Sequence, residues 1–114
     1  MHLIEEAGEF TSPGAAPNHY VEQLRVDDLS VGTYSIPAGG SDDQTPHTED
    51  EIYVVQRGRA RLAGEGGSVH VGPGSVVYVP AGEAHRFTDI AEDLAVLVLF
   101  APPYQSRAEP KARR

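Results

Sequence analysis

The sequence predicts an all-β domain, a sandwich or barrel, and three observations carry that reading. No stretch sustains the three-to-four-residue apolar spacing of an amphipathic helix. Short apolar runs recur instead, most of them ended by a Gly- or Pro-containing turn. The chain has 114 residues, the size of one domain, which buries about two thirds of its unfolded surface and so supports one core without staples.

Taken in order, residues 1–19 mix Glu, Gly, Pro and Ser, with coil signals at Ser12-Pro13-Gly14 and Ala16-Pro17-Asn18. They read as an extended N-terminal arm. Tyr20 to Val26 reads as a strand, closed by a turn at Asp27-Asp28. Leu29 to Ile36 is a clearer one, with Ser30, Gly32, Tyr34 and Ile36 on one face and Leu29, Val31, Thr33 and Ser35 on the other. Ile52 to Val55 is apolar on both faces, which predicts cover from both sides. Arg59 to Leu62 and Ser68 to Val71 flank a hairpin signal at Gly64-Glu65-Gly66-Gly67. Ser75 to Val79, Arg86 to Ile90 and the long apolar run Leu94 to Phe100 complete the set, and Pro102-Pro103 ends it. The domain organisation expected is an arm over 1–19, a barrel over 20–104 and a mobile basic tail over 105–114.

Composition narrows the function. Nine Lys and Arg stand against seventeen Asp and Glu, a formal charge of −8. That balance opposes binding to nucleic acid phosphates or to anionic membranes. The absence of cysteine excludes disulfides and thiolate metal sites. The opening MHLIEEAGEF is acidic and has no long apolar run, so it reads as neither a signal peptide nor a membrane span, and a cytoplasmic protein is expected.

Chemistry concentrates in two stretches. In GSDDQTPHTEDEIYVVQRG, His47 is followed four positions later by Glu51 and then by Gly58. An imidazole and a carboxylate both suit a borderline divalent metal. Four residues of straight strand span roughly 13 Å, whereas both ligand atoms must lie about 2 Å from one ion. The chain must therefore turn through Thr48, Glu49 and Asp50, with His47 ending one strand and Glu51 starting the next. In GSVVYVPAGEAHRFTD, Gly74, Pro80, Gly82 and His85 mark a strand, a stop and a new strand. Pro80 cannot donate to a ladder, Gly82 can adopt a backbone conformation other residues avoid, and Phe87 shares a face with His85.

Together these stretches resemble the two motifs of the cupin family. The first motif is matched at His47, Glu51 and Gly58, the second at Gly74, Pro80, Gly82 and His85, and the likeness covers about residues 29 to 100. The resemblance implies a jelly-roll barrel, the double-stranded β-helix, closed around a central pocket. Cupins usually bind metal through three histidines and a glutamate. Here His47, Glu51 and His85 carry over, the first histidine of the pair falls at Thr45, and the final asparagine falls at Asp89. Gln44 or Thr45 is expected to offer a weak neutral oxygen near the missing position, or a water to fill it.

Tyr53 and Phe87 share face parity with Glu51 and His85 and are expected to line the cavity; Val55 and Tyr78 are expected in the core. His70 reads as solvent-facing, and Asp42, Asp43, Glu49 and Asp50 as an acidic, solvated rim. The function implied is a metal-dependent enzyme holding one divalent ion (Fe, Mn, Ni, Zn or Cu) and acting on a small organic molecule as an oxygenase or an isomerase or lyase. The alternative is a non-catalytic cupin module that binds a small molecule or a metal. A homodimer is expected, through addition of the strands Tyr20 to Val26 and Leu29 to Ile36 to a partner's sheet edge.

Overall fold

Turns, most of them set by glycine or proline, divide the chain into eight strands in a computed structural model that describes residues 1–107. These are β1 (His19–Arg25), β2 (Ser30–Ile36), β3 (Asp50–Arg57), β4 (Ala60–Gly64), β5 (Gly67–Val71), β6 (Val76–Val79), β7 (Arg86–Thr88) and β8 (Leu94–Ala101). Every expected strand is present, with its ends displaced by one or two residues at most. In one sheet the order is β1-β2-β8-β3-β6, in the other β5-β4-β7, with antiparallel pairing throughout. Tyr34, Ile36, Tyr53, Val55, Val96 and Val98 from the larger sheet share one core with Ala60, Leu62, Val71 and Phe87 from the smaller. This is the jelly-roll barrel. No helix among the described residues is long and apolar enough to cross a membrane.

Register decides which side chains face inward. On β2, Ser30, Gly32, Tyr34 and Ile36 lie opposite Phe100, Val98, Val96 and Leu94 of β8, and this face looks into the barrel. Glu51, Tyr53 and Val55 of β3 continue it, opposite Phe100, Val98 and Val96. On the outward face the arm covers β2: Gly8 N donates to Thr33 Oγ1 at 2.8 Å and Thr11 N to Ser35 Oγ at 3.0 Å. All of β2 is consequently buried.

The same arrangement corrects three expectations. Ile52 and Val54 are covered on neither side fully; they point outward and are half-buried, because the bonds that fix the arm fall on β2 and not on β3. Tyr78, expected in the core, is 58% exposed, since β6 is the sheet's edge strand and Tyr78 pairs with outward-facing Ile52. Of the two strands expected to extend a partner's sheet, β2 is flanked on both sides by β1 and β8, so only β1 has a free edge.

Beyond β8 the chain turns back over one end of the barrel. Tyr104 N donates to Ser30 Oγ at 2.9 Å, and Gln105 N and Arg107 N donate to the two carboxylate oxygens of Glu49 at 2.8 and 3.1 Å. The rest of the tail expected to be mobile, residues 108–114, lies outside the described residues.

Candidate metal centre

Two loops bring the chemistry-bearing side chains together. His47 lies in the irregular segment between β2 and β3, not at the end of a strand as expected. Pro46 before it has no N–H for a ladder, and the His47 carbonyl is bonded elsewhere, to Gly82 N at 2.7 Å. Gly82 holds φ at +83°, a left-handed conformation that is costly for a residue with a Cβ. The neighbouring Ala81 N donates to Asp50 Oδ1 at 3.0 Å. The turn of the second motif thus docks on the loop of the first. His85, one residue before β7, faces His47 with ring centroids 5.4 Å apart. Glu51, the second residue of β3, points inward between them and is 2% exposed.

His47, Glu51 and His85 each offer a ligand atom, all within 4.8 Å of one another. Glu51 Oε1 lies 3.0 Å from His85 Nε2 and 3.9 Å from His47 Nε2. Ligand atoms bound to one ion at about 2 Å sit about 3 to 4 Å from each other, so the spacing fits. The tautomer of His85 fits as well. Its Nδ1 is 2.8 Å from the Glu83 carbonyl oxygen, which can only accept, so Nδ1 carries the hydrogen and Nε2 faces the site. That Nε2 is aligned with Tyr53 Oη, 3.1 Å away, rather than with the carboxylate. Glu51 Oε1 has no aligned hydrogen-bond partner among the described residues. A buried carboxylate oxygen without a donor is costly, and a cation offsets that cost. The donor set of two imidazoles and one carboxylate suits a divalent transition metal.

Electrostatics separate the two histidines. Burial holds the His47 imidazole below its ordinary value; the Glu51 carboxylate opposes this and a charged His85 adds to it. Burial also pulls His85 down, but its contact with Glu51, its bond to the Glu83 carbonyl and the charges of Glu51 and Asp42 outweigh burial and leave it raised. Tyr53 is held protonated well above the usual phenol range, by burial first and by the Glu51 charge second.

Of the other residues expected near the site, Gln44 and Tyr53 are there and Thr45 is not; Tyr53 and Phe87, expected to line the cavity, are packed in the core instead, 1% exposed each. Thr45 is exposed. Gln44 Oε1 lies 2.6 Å from His47 Nε2, and the Tyr53 hydroxyl contacts both the Gln44 amide and His85. Phe87 packs on Tyr53 with ring centroids 4.9 Å apart. His70 is exposed, as expected.

The expected acidic rim is half wrong: Asp42 and Glu49 are 3% and 1% exposed. Each is buried because donors surround it. Asp42 accepts from Tyr34 Oη, Gln44 N, Gln44 Nε2 and Phe87 N. Glu49 accepts from Thr48 Oγ1 and from the tail amides.

Sequence reasoning missed the aromatic cavity beside the cluster. A cavity of about 210 Å³ is lined by Tyr20, Tyr34, Val98, Phe100 and Tyr104, with Gln44, His47 and Glu51 at the polar side. Tyr104 stacks on Phe100 at 4.7 Å and meets His47 edge-on at 5.5 Å. Tyr20 lies against Gly32, where a Cβ would sit 2.1 Å from its hydroxyl oxygen. Its hydroxyl is buried with no partner among the described residues. The inward parity of Tyr34 and Gly32 was readable; the return of Tyr104 to the barrel mouth was not, because the bonds that hold it come from Ser30 and Glu49.

An antiparallel barrel with a His/Glu cluster beside a cavity defines a jelly roll with a candidate metal centre. Residues 32–101 match the cupin domain family, and the chain belongs to it. It is 51% identical over 84 residues to the uncharacterized protein SCO3923 of Streptomyces coelicolor, covering 74% of this chain and 80% of that one. Among solved structures, it is similar to an RmlC-like cupin protein from Desulfovibrio desulfuricans, with a TM-score of 0.68, 21% identity and coverage of 90% and 96% of the two chains. It is similar also to the polyketide cyclase RemF from Streptomyces resistomycificus, with a TM-score of 0.67, 23% identity and coverage of 87% and 75%.

Proposed function

We propose that the protein is a metal-dependent cupin enzyme that holds one divalent ion (Fe, Mn, Ni, Zn or Cu) on His47, Glu51 and His85 and acts on a small organic molecule. One observation carries this reading: Glu51 Oε1 is buried without an aligned donor, within ligand distance of two imidazole nitrogens. The bound ion would supply Lewis-acid polarisation of a substrate oxygen, as in an isomerase or lyase, or would activate dioxygen, as in an oxygenase.

The chain's own residues support one kind of substrate. A cavity of about 210 Å³ walled by Tyr20, Tyr34, Val98, Phe100 and Tyr104 suits a small, largely apolar molecule. The His47 and Glu51 end favours an oxygen-bearing group there. Tyr53 is held as a neutral hydrogen-bond donor beside His85. The barrel of the polyketide cyclase RemF shares this fold, which supports an enzymatic reading without fixing the reaction.

The exposure of Thr45 favours the second reading, a binding module without catalysis. The test is elemental analysis of protein purified without chelator, followed by incubation of the metal-free form with each of the five ions. About one ion per chain is expected. Protein that takes up none of the five contradicts the reading.

A cytoplasmic homodimer remains our proposal for its state in the cell. The free edge of β1 and the outward apolar residues Ile52, Val54, Val76 and Tyr78 are the surfaces that support it. A monomeric mass by light scattering would end that part of the proposal.

A further inference from the structure

Gln44 holds a fixed orientation. Its amide nitrogen Nε2 is 2.7 Å from Asp42 Oδ2. A carboxylate only accepts, so the atom facing it must be the NH₂ group; the reversed amide would set two oxygens against each other. Asp42 is itself immobilised. Its Oδ1 accepts from Tyr34 Oη at 2.7 Å, and its Oδ2 from Phe87 N at 2.8 Å, which ties the loop to both sheets. With the NH₂ group held, the carbonyl oxygen Oε1 is turned toward His47 Nε2, 2.6 Å away, and Tyr53 Oη, 3.2 Å away. The polar atoms form a closed ring: Gln44 Oε1, His47 Nε2, Glu51 Oε1, His85 Nε2 and Tyr53 Oη, with successive separations of 2.6, 3.9, 3.0, 3.1 and 3.2 Å.

We propose that Gln44 Oε1 is a fourth metal ligand and that Asp42 is the positioning residue that aims it. This rests on the metal reading above. The residue that replaces the absent histidine is therefore not Thr45, which aligns with it in sequence, but its neighbour, which the buried carboxylate turns inward. The donor set becomes two imidazole nitrogens and two oxygens, one of them neutral. Carbonyl and carboxylate oxygens suit manganese better than copper or nickel, for which imidazole is the better donor.

The test is titration of the metal-free protein with Co(II), read by its visible d–d absorption, and with Mn(II), read by electron paramagnetic resonance. The variants are Gln44→Ala, Gln44→His, Asp42→Asn and Thr45→Ala. Gln44→Ala is expected to weaken Co(II) binding by about tenfold or more and to change the d–d spectrum. Asp42→Asn is expected to weaken binding by about 10- to 100-fold, the size usual for residues that orient a ligand. Thr45→Ala should leave both readouts unchanged, and Gln44→His should shift preference from Mn(II) toward Co(II). If Asp42→Asn does not fold, Gln44→Ala and Gln44→His decide the matter. A wild-type Co(II) spectrum retained in Gln44→Ala overturns the assignment of Gln44 while leaving the metal reading intact. A wild type that binds neither ion overturns the assignment of Gln44, and one that also takes up none of the five ions named above overturns the metal reading with it.

Discussion

Gly82 donates its backbone N–H to the His47 carbonyl at 2.7 Å, and this bond helps to join the two sequence motifs. Gly82 can make it because its φ is +83°. Nothing lies within 4 Å of where its Cβ would be, so a substitution there meets backbone strain and no clash. Gly82→Ala is expected to cost about 1 kcal/mol in urea unfolding, and Gly82→Asn less, because Asn tolerates the left-handed region. Both should loosen metal binding by moving His85 relative to His47. Equal stability of all three proteins would contradict the strain argument.

The raised His85 and lowered His47 give a pH signature. The folded His85 holds its proton more tightly than the unfolded chain. Its contribution to the stability of the metal-free protein is full below about pH 6.5 and is lost as pH rises through its higher folded value. His47 acts the opposite way: its contribution is present above about pH 6.5 and is lost as pH falls through its lower folded value. A metal must displace the His85 proton, so affinity should begin to fall at a pH above the ordinary histidine value of about 6.5. Imidazole proton resonances of the metal-free protein, assigned with His85→Gln, should show one midpoint above and one below that value. Metal affinity constant from pH 8 to pH 5 would refute the link.

Glu49 lies between the two ligands of the first motif yet serves the tail. Its carboxylate takes both amides, Gln105 N and Arg107 N, and so holds Tyr104 against Phe100. Glu49→Gln sets an NH₂ group against one of these donors and should cost about 1 to 3 kcal/mol. Amide exchange at 105 and 107 should speed up in the variant. Unchanged exchange would show that the tail is held by other means.

Tyr20 and Gly32 allow a paired experiment. Gly32→Ala places a Cβ 2.1 Å from Tyr20 Oη, so Tyr20 must leave its edge contacts with Tyr34, Phe100 and Tyr104. A cost of about 1 to 3 kcal/mol is expected, as for overpacked cores. Tyr20→Phe removes a buried hydroxyl without a partner and should leave stability unchanged or raise it by about 1 kcal/mol. A destabilised Tyr20→Phe would mean that the hydroxyl has a partner in solution.

The sequence made the strands legible because glycine and proline mark most of the turns and the inward faces alternate. The meeting of His47, Glu51 and His85 was legible too, since Pro80 and Gly82 announce the turn that precedes His85. What was hidden is long-range. Asp42 and Glu49 look like solvated carboxylates until Tyr34 and Phe87, or Gln105 and Arg107, are brought against them from distant segments. Gln44 could be named but not oriented, because the carboxylate that turns it was itself assigned to solvent. Tyr78 shows the limit of parity: alternation says which residues share a face, and not which face is the outer one of an edge strand.

β8, the last strand of the barrel, lies between β2 and β3 at the centre of the larger sheet. During synthesis, β4, β5 and β7 can assemble as soon as they leave the ribosome, being close in sequence, as can the pairs β1–β2 and β3–β6, while the strand that joins those two pairs into one sheet is made last. Glu51 is paired with Val79 before β8 exists, and gains its second neighbour, Phe100, only when residues 94–101 have emerged. A chain stalled before β8 is therefore expected to carry all three ligands on a larger sheet split in two, its centre open along the line that β8 closes.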